Sequence, residues 1–149
     1  MEENEPMLLL VEDDPADAVL IQRSIQKADI PVRVVHLKDG DEAVAYLSGG
    51  SPQAEAPLPW LILMDLKLPR RSGLEVLQWI RQQKSDVARV PVVMLSSSHH
   101  AVDIQRAYQY GVNSYLVKPT NLSTLTELAI GLRSYWLRLN VPPNDPAIK

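Results

Sequence analysis

The stretch from Trp60 to Pro69 constrains the fold more than any other part of the chain. It begins WLILM, an apolar run without helical alternation, and ends at a proline. Such a run is typical of a strand buried on both faces, the kind found in parallel sheets. Asp65 stands at the carboxyl end of this strand, where ligands bind in open α/β sheets. The pattern therefore predicts either a capping aspartate in a turn or a carboxylate that takes part in binding.

Four other apolar or β-branched runs recur along the chain, and each passes into polar or charged residues. They are Met7–Val11, Val32–Leu37, Val90–Leu95 and Tyr115–Val117. Segments with apolar residues at helical spacing lie between the runs and after the last one. Strands that alternate with helices form right-handed crossovers. The sequence thus predicts an α/β protein with a doubly wound five-stranded parallel sheet and helices on both faces.

One domain accounts for the length of the chain. Its 149 residues fit a single hydrophobic core, and the sequence shows no internal repeat. We expect this domain to span residues 7–140, with an N-terminal tail over 1–6 and a C-terminal tail over 141–149. The stretch from Gly49 to Pro59 is rich in Gly, Pro and Ala, which predicts a surface loop.

The last predicted helix follows Asn121, whose side chain can cap it. One apolar stripe runs along this helix through Leu122, Leu125, Leu128, Leu132, Trp136 and Leu139. Ile130 and Leu137 lie off the stripe. If exposed, they form an apolar patch that suits a partner or a second copy of the chain. We therefore predict a homodimer through the final helix and its neighbouring strand.

Composition excludes several classes of protein. The net charge is -3 and Arg70–Arg71 is the one basic cluster, which argues against nucleic-acid binding. The chain has no cysteine, so disulfides and thiolate metal sites are excluded. No apolar run approaches the ~20 residues of a membrane span, and the first six residues do not form a signal peptide. We expect a cytoplasmic protein with no membrane partner.

Five polar side chains follow or end the predicted strands and should meet at one edge of the sheet. They are Glu12, Asp13, Asp65, Ser96 and Lys118. Neighbouring carboxylates raise one another's pKa unless a cation lies among them, and Mg²⁺ prefers oxygen ligands of this kind. Lys118 would add a second positive charge and Ser96 a hydroxyl donor. An aspartate in that setting is equipped to attack phosphorus and hold the resulting acyl phosphate.

At these positions the chain resembles a known family, the receiver domains of two-component response regulators. The matching motifs are Val11–Asp14, Leu63–Pro69, Met94–Ser96 and Tyr115–Pro119, in the family's order. The resemblance covers about residues 7–135 and implies the flavodoxin-like receiver fold. It also implies a signalling protein rather than an enzyme, one that catalyses only its own phosphoryl transfer and slow dephosphorylation.

The resemblance assigns a role to each matching residue. It implies that Asp65 is the phosphoacceptor and that Mg²⁺ is the cofactor. Asp13 would bind the metal directly, Glu12 through water, and Lys67 through its backbone carbonyl.

Three further residues match the family's phosphate-binding and switch positions. Ser96 resembles its hydroxyl residue, Lys118 its lysine and Tyr115 its aromatic switch. The Lys118–Pro119 bond is similar to the family's cis peptide bond. Two departures stand out, because Glu12 replaces the more frequent Asp and Lys67 replaces an often smaller residue.

A narrower likeness concerns the single-domain regulators that are paired with cyanobacterial phytochrome kinases. The long loop before Trp60, the segment from Tyr115 to Leu122, and the final helix ending in Tyr135–Leu137 carry it. It implies that a sensor histidine kinase of the phytochrome type phosphorylates Asp65. Since this length leaves no room for an output domain, we expect the signal to leave by contact with a downstream protein.

Two other functions compete with this prediction. The haloacid dehalogenase class of hydrolases uses an aspartate nucleophile on a similar fold, but it places a second aspartate two residues later, where this chain has Lys67. The other rival is a pseudo-receiver, a protein-binding module that acts without phosphorylation.

Overall fold

A five-stranded parallel sheet forms the centre of the molecule in the computed structural model, which describes residues 5–49 and 58–143. The strands are β1 (Met7–Val11), β2 (Arg33–Leu37), β3 (Leu61–Met64), β4 (Val92–Ser96) and β5 (Ser114–Val117). Their order is β2-β1-β3-β4-β5, and all neighbouring pairs are parallel. This arrangement confirms the predicted fold class.

Helices connect the strands and follow the last one. They are α1 (Pro15–Lys27), α2 (Gly40–Leu47), α3 (Gly73–Gln82), α4 (Ala101–Gln109) and α5 (Leu122–Leu132). Side-chain oxygens cap α1, α2, α3 and α5 at Asp14, Asp39, Ser72 and Asn121. Each cap accepts backbone N–H groups that the first helical turn leaves without a partner.

The sheet has a hydrophobic core on each face. Alternate residues of β1 point to opposite sides, so Leu8 and Leu10 lie in a cluster with residues of α1 and α5. Leu9 and Val11 lie in the other cluster, with residues of α2, α3 and α4. Every residue of β1 is buried, as expected for a strand covered on both faces.

Some boundaries differ from the prediction by a few residues. β4 begins at Val92 rather than Val90, because a 3₁₀ turn over Asp86–Arg89 precedes it. Pro91, between them, has no N–H to donate to a sheet. β4 also includes Ser96, one residue beyond the predicted run.

The final helix departs most from the prediction. After α5 the chain continues as a π-helical segment, Arg133–Leu139, and the wider turn changes which residues face the core. Trp136 still packs against the core on the α1 and α5 side. Leu139 is 72% exposed, so its predicted place in the apolar stripe was wrong. Of the two residues off the stripe, Ile130 is exposed and Leu137 is half-buried.

The peptide bond before Pro119 also differs from expectation. Within the described ranges no peptide bond is cis, so the predicted cis bond between Lys118 and Pro119 was wrong. The bond takes the trans form, which is the lower-energy form for most X–Pro bonds.

Parts of three predicted segments lie outside the described residues. These are residues 50–57 of the predicted loop, residues 1–4 of the N-terminal tail and residues 144–149 of the C-terminal tail. Among the helices of residues 5–49 and 58–143, none is long and apolar enough to cross a membrane.

Candidate functional site

Three carboxylates meet where β1 and β3 end. Val11 and Met64 are paired in the sheet, so the residues that follow them emerge side by side. The Asp65 N–H donates to the Val11 carbonyl at 3.0 Å, which fixes the start of the loop. Carboxylate oxygens of Glu12, Asp13 and Asp65 all lie within 4.8 Å of one another. The grouping predicted from the strand ends therefore agrees with the structure.

The three carboxylates differ in their access to solvent. Glu12 is only 1% exposed, Asp13 is exposed and Asp65 is partly buried. Burial raises the pKa of Glu12, and the Asp65 carboxylate adds to this effect. Hydrogen bonds from Lys118 and from the Asp14 N–H oppose the rise in pKa. Glu12 is thus the member of the cluster that most needs a neighbouring cation.

Lys118 supplies that cation from the end of β5. Its N–H donates to the Ser96 carbonyl at 2.7 Å, and its side chain is only 8% exposed. The ammonium contacts Glu12 Oε1 at 2.7 Å, Asp17 Oδ2 at 2.9 Å and Asp65 Oδ2 at 3.3 Å. Burial alone would lower the pKa of Lys118, but the carboxylates outweigh it and raise that pKa. The lysine therefore stays protonated over the whole physiological range.

Asp17 is a site residue that sequence reasoning missed. It lies in the first turn of α1, and its carboxylate is 35% exposed beside Lys118. A signal was present in the sequence, since an acidic residue three positions after the cap Asp14 faces the same end of the sheet as Asp13. Helix-terminal acidic residues are common, however, because they interact favourably with the helix dipole.

Hydrogen bonds connect Ser96 to Tyr115 through Ser98. Ser96 is 1% exposed, and its Oγ accepts the Ser98 N–H at 3.1 Å. The Tyr115 hydroxyl donates to the Ser98 carbonyl at 2.7 Å, and the half-buried ring packs against the core. The Ser98 hydroxyl donates to Asp103 in α4. A movement of Ser96 would therefore disturb the hydrogen bonds that connect it, through Ser98, to Tyr115 and α4.

A cleft of about 220 Å³ opens in front of Asp65. Its lining residues are Asp65, Lys67, Ser96, Ser97, Ser98, His99 and His100. The Lys67 side chain is exposed, and its N–H lies 3.4 Å from Asp65 Oδ1. The rings of His99 and His100 stack, with centroids 5.8 Å apart. The cleft gives a small molecule or a partner's side chain a way to reach the Asp65 carboxylate.

Gly73 shapes the loop that follows Asp65. A Cβ at this position would lie 2.3 Å from the Asp65 carbonyl oxygen. The Gly73 N–H donates to the Leu66 carbonyl at 2.8 Å, which draws the loop against the start of α3. Only glycine allows this close approach of the two backbones.

The donor set fits a small divalent cation. Glu12, Asp13 and Asp65 supply carboxylate oxygens within 4.8 Å of one another, and Asp13 is open to solvent. Mg²⁺ and Mn²⁺ take such oxygens together with water. One ammonium shared among several carboxylates leaves negative charge uncompensated, which favours binding of a cation.

The order of the sheet and the groups at its carboxyl edge define a class of protein. Residues 8–130 match the response regulator receiver domain family. The chain belongs to this family, which is one of signalling proteins.

Similar proteins of known identity indicate a narrower group within this family. Response regulator Rcp1 of Synechocystis sp. is 41% identical over 91% of this chain and 92% of its own length. The crystal structure of Mn(2+)-bound Rcp1 has a TM-score of 0.82 at 39% identity, and covers 93% of this chain and 99% of that one. The phosphorylated cyanobacterial phytochrome response regulator RcpA has a TM-score of 0.86 at 40% identity, with the same coverage. The chain is a receiver protein related to the phytochrome response regulators.

Proposed function

We propose that Asp65 accepts a phosphoryl group from a phosphohistidine of a sensor histidine kinase. The 3.3 Å contact between Lys118 Nζ and Asp65 Oδ2, together with the place of Asp65 in the lining of an open cleft, carries this proposal. Glu12 also contacts the ammonium but is buried. Asp13 is exposed but is not among the carboxylates within reach of Lys118. Asp17 contacts the ammonium as well, but it is not among the residues that line the cleft. Asp65 thus combines a neighbouring cation with a carboxylate that faces the cleft.

The transfer exchanges one bond to phosphorus for another. A carboxylate oxygen of Asp65 forms a bond to phosphorus while the phosphorus–nitrogen bond of the phosphohistidine breaks. The electron pair of that bond stays on the imidazole nitrogen, which takes up a proton from water. Lys118 remains protonated and stabilises the negative charge on the phosphoryl oxygens.

Glu12, Asp13 and Asp65, together with the backbone carbonyl of Lys67, would hold the Mg²⁺ that the reaction requires. When bound, the ion supplies positive charge for the phosphoryl oxygens. The Mn(2+)-bound form of Rcp1, a relative that is 39% identical, supports this assignment. The protein's own part is to keep the three carboxylates close together and to leave Asp65 open to the cleft.

Phosphorylation would change the surface formed by α4, β5 and α5. It adds a charge of about -1.5 to -2 at Asp65. Ser96 would turn its hydroxyl toward that charge and release the Ser98 N–H, and Tyr115 would rotate inward. The result is a population shift between two packings, which a downstream protein can distinguish.

The kinase partner proposed here is of the phytochrome type. This rests on the likeness to RcpA, a phytochrome response regulator that is 40% identical over 93% of this chain. We further propose that residues 7–140 form the receiver unit and that it works in the cytoplasm.

A phosphorylation assay with a small donor tests the role of Asp65. The protein is incubated with phosphoramidate and Mg²⁺, and its mass is measured intact. We expect one added phosphoryl group that is stable in acid and lost in base, because acyl phosphates have these stabilities. Asp65→Asn should abolish the adduct, and removal of Mg²⁺ with a chelator should prevent it. Asp39→Asn, which changes a carboxylate at the start of α2, serves as the matched control.

The same assay separates this function from the alternative, a pseudo-receiver. A chain that folds but gains no phosphoryl group, even from a cognate kinase, would act as a binding module only. An adduct that persists in Asp65→Asn would assign the modification to another residue.

We also propose a homodimer through α5 and the neighbouring strand. Ile130 on α5 is 40% exposed and Val117 on β5 is 47% exposed, which leaves apolar surface open on both elements. Light scattering at micromolar concentration, with and without the phosphodonor, tests this. A monomer under both conditions would contradict it.

A further inference from the structure

Asp17 is a fourth carboxylate at the site, and the roles given above do not use it. Its Oδ2 lies 2.9 Å from Lys118 Nζ, closer than the 3.3 Å between Nζ and Asp65. We propose that Asp17 is a positioning residue, which competes for the Lys118 ammonium and so slows the phosphorylation of Asp65. This inference rests on the proposed function of Asp65.

The start of α1 leaves Asp17 free for this contact. An acidic residue at the third helical position commonly accepts the N–H of the capping residue. Glu75 does so at α3, where it accepts the Ser72 N–H at 3.3 Å. At α1 the N–H of the cap Asp14 donates instead to Glu12 Oε2 at 3.1 Å. The Asp17 carboxylate is therefore turned to Lys118 rather than used as a cap.

Each N–H donor of the Lys118 ammonium already has a carboxylate acceptor. It carries three N–H groups, and three carboxylates lie within hydrogen-bonding distance of it, those of Glu12, Asp17 and Asp65. A phosphoryl group on Asp65 brings further oxygens that need the same donors. One of the existing contacts must then weaken.

Exposure decides which contact Lys118 can give up. The Glu12 side chain is 2% exposed, so water cannot replace the ammonium there. The Asp17 side chain is 35% exposed, and water can solvate it once the lysine moves. Asp17 is thus the exchangeable partner and Glu12 the fixed one.

Repulsion between the carboxylates of Asp17 and Asp65 also opposes the phosphorylation of Asp65. The carboxylates of Asp17 and Asp65 contact one ammonium and lie no more than about 6 Å apart. Like charges at this separation repel, and the phosphoryl group increases the charge on one of them. Because Asp17 is partly exposed, water and salt screen this repulsion and keep its effect modest.

Replacing Asp17 by asparagine tests the inference. With phosphoramidate and Mg²⁺, the acyl phosphate of Asp17→Asn should form about 5-fold faster than that of the parent, as expected for removal of one screened charge. The excess in rate should shrink as salt is added, since the cause is electrostatic. Asp17→Glu, which restores the charge, should return the rate toward that of the parent.

Asp14→Asn is the matched control. It removes an equal charge from the same end of α1, and asparagine caps a helix as well as aspartate does. The Asp14 carboxylate accepts backbone N–H groups of Ala16 and Asp17 rather than the ammonium. Its phosphorylation rate should stay within about 2-fold of the parent rate.

The possible results separate the two proposals. An unchanged or slower rate in a folded Asp17→Asn variant would overturn the inference, as would an equal acceleration in Asp14→Asn. If asparagine prevents folding, Asp17→Ser takes its place in the same comparison. A parent protein without any adduct would instead refute the function proposed for Asp65, and the inference with it.

Discussion

A cation lies at each end of the sheet, and the two cations differ in the charge of their partners. At the carboxyl ends of the strands, Lys118 contacts three carboxylates. At the amino ends, Arg81 of α3 donates to neutral oxygens. Its acceptors are the carbonyls of Ala88, Val90 and Gly111 and the side-chain oxygen of Asn113, at 2.7 to 3.0 Å.

This difference means that the contacts of Lys118 can be exchanged, whereas those of Arg81 are fixed. We call Arg81 and its four acceptors the Arg81 clamp. Asp17, one of the partners of Lys118, is exposed enough for water to replace the ammonium. The partners of Arg81 are mostly backbone atoms, and Asn113 Oδ1 also accepts the Val92 N–H at 2.8 Å. Moving the guanidinium would therefore disturb the starts of β4 and β5. We expect Lys118 to serve function and Arg81 to serve stability.

The largest expected effect comes from removing the cation at the carboxyl ends. Lys118→Met should slow phosphorylation of Asp65 by about 100-fold or more, the usual loss when a group that stabilises developing charge is removed. The circular dichroism spectrum should stay that of the parent. Lys38→Met, at an exposed lysine that follows β2, is the control and should leave the rate unchanged. An equal loss of phosphorylation rate in Lys118→Met and Lys38→Met would contradict a specific role for Lys118.

Arg81→Met should give the opposite result. It removes four hydrogen bonds, but a cavity of about 590 Å³ lined by Ala88, Gly111 and Asn113 lets water reach three of the four former acceptors. We expect the free energy of unfolding to fall by about 2 kcal/mol. The phosphorylation rate of the folded protein should not change.

The control for this variant is Arg89→Met. Arg89 lies near the same cavity, but its ion pair with Asp86 is exposed on both sides. Its loss should cost less than about 0.5 kcal/mol. Urea unfolding followed by circular dichroism measures both variants. Similar losses at Arg81 and Arg89 would contradict the clamp.

The smallest expected effect is the dependence of stability on pH at Glu12. Burial raises the pKa of this carboxyl in the folded chain above its ordinary value of 4.5. Below 4.5 the group is protonated in both states, and as pH rises through the higher folded pKa the folded state loses stability. Without metal, the advantage of Glu12→Gln over the parent should therefore grow with rising pH and then level off. An advantage that shrinks over this range would contradict the sign.

The sequence was sufficient for the sheet and for the grouping of the three carboxylates. Apolar runs such as Met7–Val11 predicted strands buried on both faces, and the residues after them had to share one edge of a parallel sheet. That reasoning is enough to group Glu12, Asp13 and Asp65. It works because the polarity of a parallel sheet fixes where strand ends meet.

Side-chain direction was beyond the reach of the sequence. Asp17 and Lys118 lie 101 residues apart, and their contact depends on which oxygen accepts the Asp14 N–H. In the sequence, Arg81 is typical of a solvated residue at the end of a helix. Its acceptors come from the segments on either side of β4, which the sequence does not place beside it. The π-helical turn after α5 likewise has no local signature, so the exposure of Leu139 was not foreseen.

Hydrogen exchange of backbone amides, with and without the phosphodonor and Mg²⁺, tests the contrast between the two ends most directly. We predict altered exchange in residues 12–17, 96–98 and 115–118, where contacts are exchanged. Exchange in 88–92 and 111–114, around the Arg81 clamp, should stay as it was. Equal changes at both ends, or changes only around Arg81, would contradict the account.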